Sequence, residues 1–267
     1  MFDVVIRNGL VIDGTGAPGQ IADVALNDGR IAAVGEVSES GAREIDAKGL
    51  VVAPGFVDIH THFDAQVFWD TTLSPSPLHG VTTVISGNCG FTIAPLEPEH
   101  GDYMMQMLAR VEGMPLTSLQ QGVPWNWRTF GEYLDAIDGS LMPNAGFLVG
   151  HSALRRTVMG ERSVGEFASE DELKAMKELL AESIEAGGLG FSSSWAKTHN
   201  DADGDAVPSR HASQRELVEL CAVLKDSPAV ALEFIPTIER FDDEVYQLLT
   251  DMSVAADKPL NWNVIFV

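Results

Sequence analysis

From Pro54 onward, short apolar runs recur with helix-start signals between them, and this alternation constrains the fold more than any other feature of the chain. The runs are PGFVDIH (54–60), GVTTVISG (80–87), NAGFLVGH (144–151), GGLGFSSS (187–194), PAVALEFIP (228–236) and PLNWNVIFV (259–267). Ser169 with Glu172 forms a capping-box pattern before Leu173, Met176, Leu180 and Ile184, and Gly187-Gly188 marks that helix's end. Ser213 with Glu216 repeats the pattern before Leu217, Leu220, Cys221 and Leu224, which puts Cys221 on an apolar helix face as a packing residue. Strands alternating with helices imply parallel strands joined by crossover helices. The predicted fold class is therefore α/β. Six strand units fall short of the eight that close a (β/α)8 barrel. The chain also stops at Val267 inside an apolar run, so the expectation is an incomplete TIM barrel, the front part of a longer protein.

The first fifty residues follow a different rule. FDVVIRNGLVID and ADVALNDGRIAAVG each carry a two-residue hairpin signal, Asn8-Gly9 and Asp28-Gly29, and no helical period. Residues 1–53 are expected to form a small β-sandwich module, and residues 54–267 the partial barrel. Lys plus Arg is 17 against 39 Asp plus Glu, a net charge of −22. A surface this acidic repels phosphate backbones and argues against nucleic acid as a partner. No run of about 18 apolar residues is available to cross a membrane. MFDVVIRNG lacks the basic-then-apolar order of a secretory signal, and two cysteines make no disulfide framework. The expected compartment is the cytoplasm.

VDIHTHFD (57–64) ends the first run with two histidines one residue apart. In extended chain, residues i and i+2 share a side, so His60 and His62 present two imidazoles in one direction, which suits a divalent metal. Asp58 shares that side and Asp64 follows in the first loop. Cys89 ends the second strand between Gly87 and Gly90, where the backbone has freedom to turn a sulfur toward an ion. A small buried cysteine is the other reading of Cys89. His151 ends the third strand and Arg155 follows it, placed to meet a substrate or to satisfy the core. THNDADGDAVPSRH (198–211) has the acidic spacing of a calcium loop but carries Ala206 and Ala212 at the positions that need glycine and glutamate. Its His199, Arg210 and His211 are expected to contact substrate, with a solvated loop as the alternative.

PGFVDIHTH behind a β-rich module resembles the opening signature of the amidohydrolase superfamily. SGNCGFTIAPL (86–96), LVGHSALR (148–155) and GLGFSSS (188–194) are similar to strand ends of its D-aminoacylase, or N-acyl-D-amino-acid deacylase, group. The resemblance implies hydrolysis of the C–N bond of a small-molecule amide by metal-activated water. It implies one or two zinc ions, with His60, His62 and Cys89 as ligands. It places metal-binding histidines at and beyond the sixth strand, where this chain has Asn261 and Asn263, while the fifth strand offers Glu233. It places the catalytic aspartate on the eighth strand, beyond Val267, so the 267-residue chain alone is expected to be inactive. It also implies that the N-terminal module is completed by later strands. That module is then expected to expose an unpaired edge, and the strand beginning at Leu260, with no seventh neighbour, to expose another that favours association into a homo-oligomer. The alternatives are a cyclic amide or imide hydrolase on the same barrel, and a metal-free barrel serving as an assembly subunit.

Overall fold

Turn chemistry organises the first sheet. A computed structural model describes residues 1–263, and the chain divides into two compact units between Phe56 and Val57. In the first unit, β1 (Phe2–Val11) pairs antiparallel with β2 (Gln20–Asn27), which turns back into β3 (Arg30–Gly35). Asp28 and Gly29 make that turn with φ of 50° and 71°, the two positive values a tight twisted hairpin requires. β4 (Gly41–Asp46) and β5 (Val51–Val52) both lie parallel to β1, giving the order β3-β2-β1-β4 with β5 further along β1. Val5, Ala25 and Val37 form its small core.

The Asn8-Gly9 hairpin does not form. Asn8 takes a left-handed φ of 59°, but inside a continuous β1, where the register with β2 shifts between Ile6 and Gly9. The pair makes a bulge because Leu10 and Val11 go on pairing with Ile21 and Gln20 on one side and Val51 and Val52 on the other. A Cβ at Gly9 would lie 2.4 Å from Val52 Cγ2, so the residue also answers to close packing.

β6 (Phe56–Asp58) spans the division, and the second unit continues with β7 (Val81–Ser86), helices α1 (Gly101–Val111), α2 (Leu116–Gly122) and α3 (Phe130–Ile137), then β8 (Asn144–Phe147) and β9 (Val149–Gly150). There follow α4 (His151–Met159), α5 (Glu170–Glu185), β10 (Gly190–Ser194), α6 (Gln214–Ala222), β11 (Ala231–Ile235), α7 (Asp243–Ala256) and β12 (Leu260–Trp262). The strands run in chain order, β6-β7-β8 and β9-β10-β11-β12, with parallel pairing from β7 to β8 and from β9 to β12. Leu148 N–H donates to Ser86 O at 2.9 Å and Leu189 N–H to Phe147 O at 2.8 Å, stitching β8 and β9 into one strand position. The result is an arc of a (β/α)8 barrel. The last four residues of the run 259–267 lie outside the described residues.

Ser169 and Glu172 make the full reciprocal capping box of α5, and Gly187 ends it at φ 118°. Phe91, Phe130, Tyr133, Phe191 and Phe234 fill the core with Met104, Met107 and Leu220, and Cys221 packs among them on α6.

Candidate metal centre

His60 and His62 lie just past β6, in the loop at its C-terminal end, rather than within the strand. Local pairing nonetheless keeps them extended. Thr61 N–H donates to Ile85 O at 3.0 Å, and Ser86 Oγ accepts from Phe63 N–H at 3.2 Å. Thr61 turns inward to the β7 backbone, so its two neighbours face the other way together. Their rings sit edge to face with centroids 5.4 Å apart.

Cys89 follows β7 in a turn that is left-handed three times over. Gly87, Cys89 and Gly90 have φ of 79°, 59° and 76°. A Cβ at Gly87 would meet Leu148 O at 2.4 Å, so only glycine fits there. Positive φ at a cysteine is strained backbone, held here by its surroundings. Cys89 N–H donates to Glu233 Oε2 at 2.8 Å, and Asn263 Nδ2 donates to Glu233 Oε1 at 2.7 Å. Glu233 thus spends both oxygens on fixing the turn. The Cys89 sulfur comes 3.3 Å from His60 Nε2 and 3.6 Å from His62 Nε2, and the three donor atoms lie within 4.8 Å of one another. Asp64 is buried behind this turn, where its carboxylate accepts from Gly87 N–H at 3.1 Å. It braces the loop and does not line the cavity.

The electrostatics match a cation site. Burial first, then the neighbouring His60 and His199, pushes His62 down to about 3. Burial, then Arg210 and His60, pushes His199 down to about 4, and burial lowers His60 as well. All three imidazoles are therefore neutral near pH 7, the form that donates a lone pair to a metal. Burial raises the Cys89 thiol well above its ordinary value, and Glu233, Glu112 and Asp64 add to it. A divalent cation beside the sulfur reverses that balance, because a coordinating thiol is deprotonated outright. Burial also raises Glu112 and Glu233 to about 7. His62 Nδ1 is buried with no hydrogen-bond partner among the described residues. Two imidazole nitrogens and a sulfur at this spacing, on a fixed backbone, fit a zinc-type donor set.

The same cavity is lined by Val111, Glu112, His199 and Asn263. His199 is thus brought to the cluster, with Ser194 Oγ 2.7 Å from its Nδ1 and the Phe91 ring 5.0 Å away. Arg210 orders its loop, donating to Lys197 O, His199 O and Asn200 Oδ1, and His211 Nε2 bonds Ala206 O. Both act on the loop's own backbone.

His151 and Arg155 do not meet the cavity. α4 begins at His151, which puts Arg155 one helical turn along and not in a loop. Both are fully buried. Arg155 donates twice to Glu216, at 2.6 and 2.7 Å, and to Ser163 O and Glu166 O. His151 Nε2 lies 2.8 Å from Glu216 Oε1 and Nδ1 2.8 Å from Ser193 Oγ. The buried ion pair leaves neither residue any surface for a substrate.

Glu216 reads as a capping residue in the sequence, but only half of that box forms. Ser213 Oγ accepts from Glu216 N–H at 3.1 Å, while the Glu216 carboxylate turns inward to Arg155. Glu112 carries no sequence signal at all. It follows the last residue of α1 and reaches the cavity only because that helix ends there.

Parallel strands in barrel order, with metal-donor side chains gathered where those strands end, define a metal-site barrel. The amidohydrolase family model matches residues 43–263, and the chain belongs to that family. It is 37% identical over 282 residues to an uncharacterized protein of Mycobacterium tuberculosis, covering 96% of this chain and 46% of that protein. It is 35% identical over 225 residues to the D-aminoacylase of Alcaligenes xylosoxydans xylosoxydans, covering 84% of this chain and 42% of that enzyme. A crystal structure of D-aminoacylase superposes with a TM-score of 0.76 at 33% identity, covering 98% of this chain and 51% of that one. N-acyl-D-glutamate deacylase from Bordetella bronchiseptica, complexed with zinc and a phosphonate inhibitor, superposes at 0.74 with 29% identity, covering 97% and 50%. The chain spans about half the length of these relatives.

Proposed function

We propose that this chain carries the metal-binding part of an enzyme that hydrolyses the C–N bond of N-acyl-D-amino acids. The observation that supports it most directly is the convergence of His60, His62 and Cys89 on a chain similar to D-aminoacylases. In this reading those three side chains hold zinc, as one ion or as part of a pair. One similar structure is described as a D-aminoacylase with a binuclear metal centre, activated by one metal and attenuated by the second. A divalent ion held there supplies Lewis-acid polarisation of an amide carbonyl and a lowered pKa for water.

The remaining contributions come from the chain itself. Neutral His60 and His62 offer lone pairs without first losing a proton. Glu233 and Asn263 lock the Cys89 turn, so the sulfur needs no rearrangement on binding. His199, on the cavity wall, contacts the bound amide or its carboxylate, and Phe91 supplies an apolar wall beside it. The acceptor for the water's proton is assigned to an aspartate of a later barrel strand. The same reading places the enzyme in the cytoplasm, where both free cysteines stay reduced. Among the described residues no helix is long and apolar enough to cross a membrane.

The test is a substrate screen of the zinc-loaded full-length protein on N-acetyl-D-amino acids, their L-enantiomers, and hydantoin-type cyclic amides. Turnover confined to the D-series and abolished in Cys89→Ala supports the reading. Turnover of cyclic amides alone moves the protein to the imide-hydrolase alternative. Full activity in Cys89→Ala removes the cysteine from the centre.

A further inference from the structure

Glu112 is the residue of the cavity that nothing else explains. Its side chain is four-fifths or more out of solvent, with 17% relative exposure. Among the described residues no N–H or O–H donates to its carboxylate; only its backbone N–H is bonded, to Leu108 O. It stands directly after α1, at the C-terminal end of that helix, where the unpaired carbonyls repel a negative charge. Burial, absent donors and the helix dipole all disfavour an anion here. His62 faces it, with Nε2 3.6 Å from Glu112 Oε2.

That distance is informative. Two ligands held about 2.0–2.1 Å from one tetrahedral ion stand roughly 3.4 Å apart. His62 Nε2 is similarly spaced from the Cys89 sulfur, at 3.6 Å. The His62 nitrogen therefore has both a sulfur and a carboxylate oxygen as neighbours, each at ligand-to-ligand spacing. Glu112 lies outside the tight three-residue cluster and approaches it from the His62 side. Its side chain has three rotatable bonds with which to close that gap. Charge completes the case. Two neutral imidazoles, one thiolate and one carboxylate sum to −2 and cancel a divalent cation, which is what a buried site demands.

We propose that Glu112 is the fourth donor of this centre, binding the same divalent cation as His60, His62 and Cys89. The proposal rests on the reading of that cluster as a metal centre. It makes the carboxylate a liability in the metal-free protein and an asset in the loaded one, so the two states respond in opposite directions to its removal.

The experiment titrates cobalt(II) and zinc into metal-stripped protein, wild type against Glu112→Gln, Glu112→Asp and Cys89→Ser, and follows melting temperature with and without metal. The expected result for Glu112→Gln is metal affinity weaker by about 10–100-fold. Its metal-free melting temperature rises by roughly 2–4 °C. The thiolate-to-cobalt absorption persists, since Cys89 is still bound. Glu112→Asp, which keeps the charge, retains part of the affinity and guards against a folding defect of the amide variant. Unchanged affinity in Glu112→Gln overturns the proposal while leaving the three-residue centre standing. A fall in metal-free stability in both variants also overturns it, in favour of a structural role. If wild type shows no thiolate-to-cobalt band, or Cys89→Ser keeps it, the centre itself fails and the proposal with it.

Discussion

Arg155, Glu216 and His151 form one polar cluster of the barrel arc, wholly buried; His60, His62 and Cys89 form another, in which Cys89 is buried and the two histidines are half-buried. They differ in what closes them. In the first, each charge finds its opposite inside the protein: the Glu216 carboxylate takes two Arg155 N–H groups and sits against His151, and Ser163 O and Glu166 O accept from the other terminal nitrogen, which leaves Arg155 Nε as the guanidinium nitrogen without a partner among the described residues. In the second, neutral nitrogens and a sulfur face each other with an unpaired carboxylate alongside. The sulfur meets the two imidazoles at 3.3 and 3.6 Å, and among the described residues no lysine or arginine lines the cavity beside them. A cluster satisfied from within holds a fold together; a cluster satisfied only from outside is built to receive something.

The sharpest way to break this contrast is to unbalance the closed cluster. Glu216→Ala leaves Arg155 buried and unpaired, and should cost about 3–5 kcal/mol of unfolding free energy in urea titrations. The paired replacement Arg155→Met with Glu216→Leu should cost clearly less. A single-variant loss under about 1 kcal/mol would mean the pair is better hydrated than its burial implies. The open cluster should behave oppositely. Zinc at about 100 times its dissociation constant should stabilise the wild type by roughly 2.7 kcal/mol, and Cys89→Ala by almost nothing. Equal gains in both proteins would put the ion elsewhere.

Glu233 sharpens the contrast further, because it belongs to the open cluster yet is internally satisfied. Glu233→Ala frees the Cys89 N–H and the Asn263 amide, an expected loss of about 1–3 kcal/mol in the metal-free protein. It should weaken metal binding too, since the turn that aims the sulfur is released. Asn263→Ala, which removes one of the two bonds, should do less of both. If Glu233→Ala binds metal as tightly as wild type, the strained turn holds itself.

The smallest effect is the slope of stability with pH. His199 is held near 4 in the folded protein, against an ordinary value of 6.5. Between those values the unfolded chain binds a proton that the folded chain does not, so stability rises with pH across the window and levels off above it. His199→Ala should flatten the slope of the metal-free protein by at most about 1.4 kcal/mol per pH unit. Glu216 acts lower down. Burial works against its ionisation, but the hydrogen bond from His151 and the charge of Arg155 outweigh it and leave the carboxyl below its ordinary 4.5. Its contribution is present above 4.5 and lost as pH falls through the folded value. Equilibrium denaturation across pH 3–8 separates the two.

Much of this was legible in the residues themselves. The strand runs, the α5 capping box, the Asp28-Gly29 hairpin and the packing of Cys221 follow from periodicity and turn chemistry, which act locally. The His-x-His spacing conveyed direction, although the pair proved to lie just beyond β6. What local rules missed was decided at long range. Glu216 looks like a cap until Arg155, 61 residues away, claims its carboxylate. Asn8-Gly9 looks like a hairpin until Ile21 and Val51 extend the strand past it. Glu112 looks like any surface acid, because only the length and direction of α1 bring it to the cavity.

That helix has a mechanical consequence. Near its start, Tyr103 donates its hydroxyl to Asp201 at 3.1 Å, in the loop that carries His199; just past its end stands Glu112, opposite His62. Eleven residues at 1.5 Å each make a rod of about 16 Å. One stiff rod therefore ties Glu112 on the cavity wall to the loop that carries His199, and neither can retreat without tilting it. Widening the cavity for a bulkier ligand becomes a concerted motion. Amide hydrogen exchange should show α1 and the 195–213 loop opening together, as one unit with one free energy, rather than as two loops that fray separately.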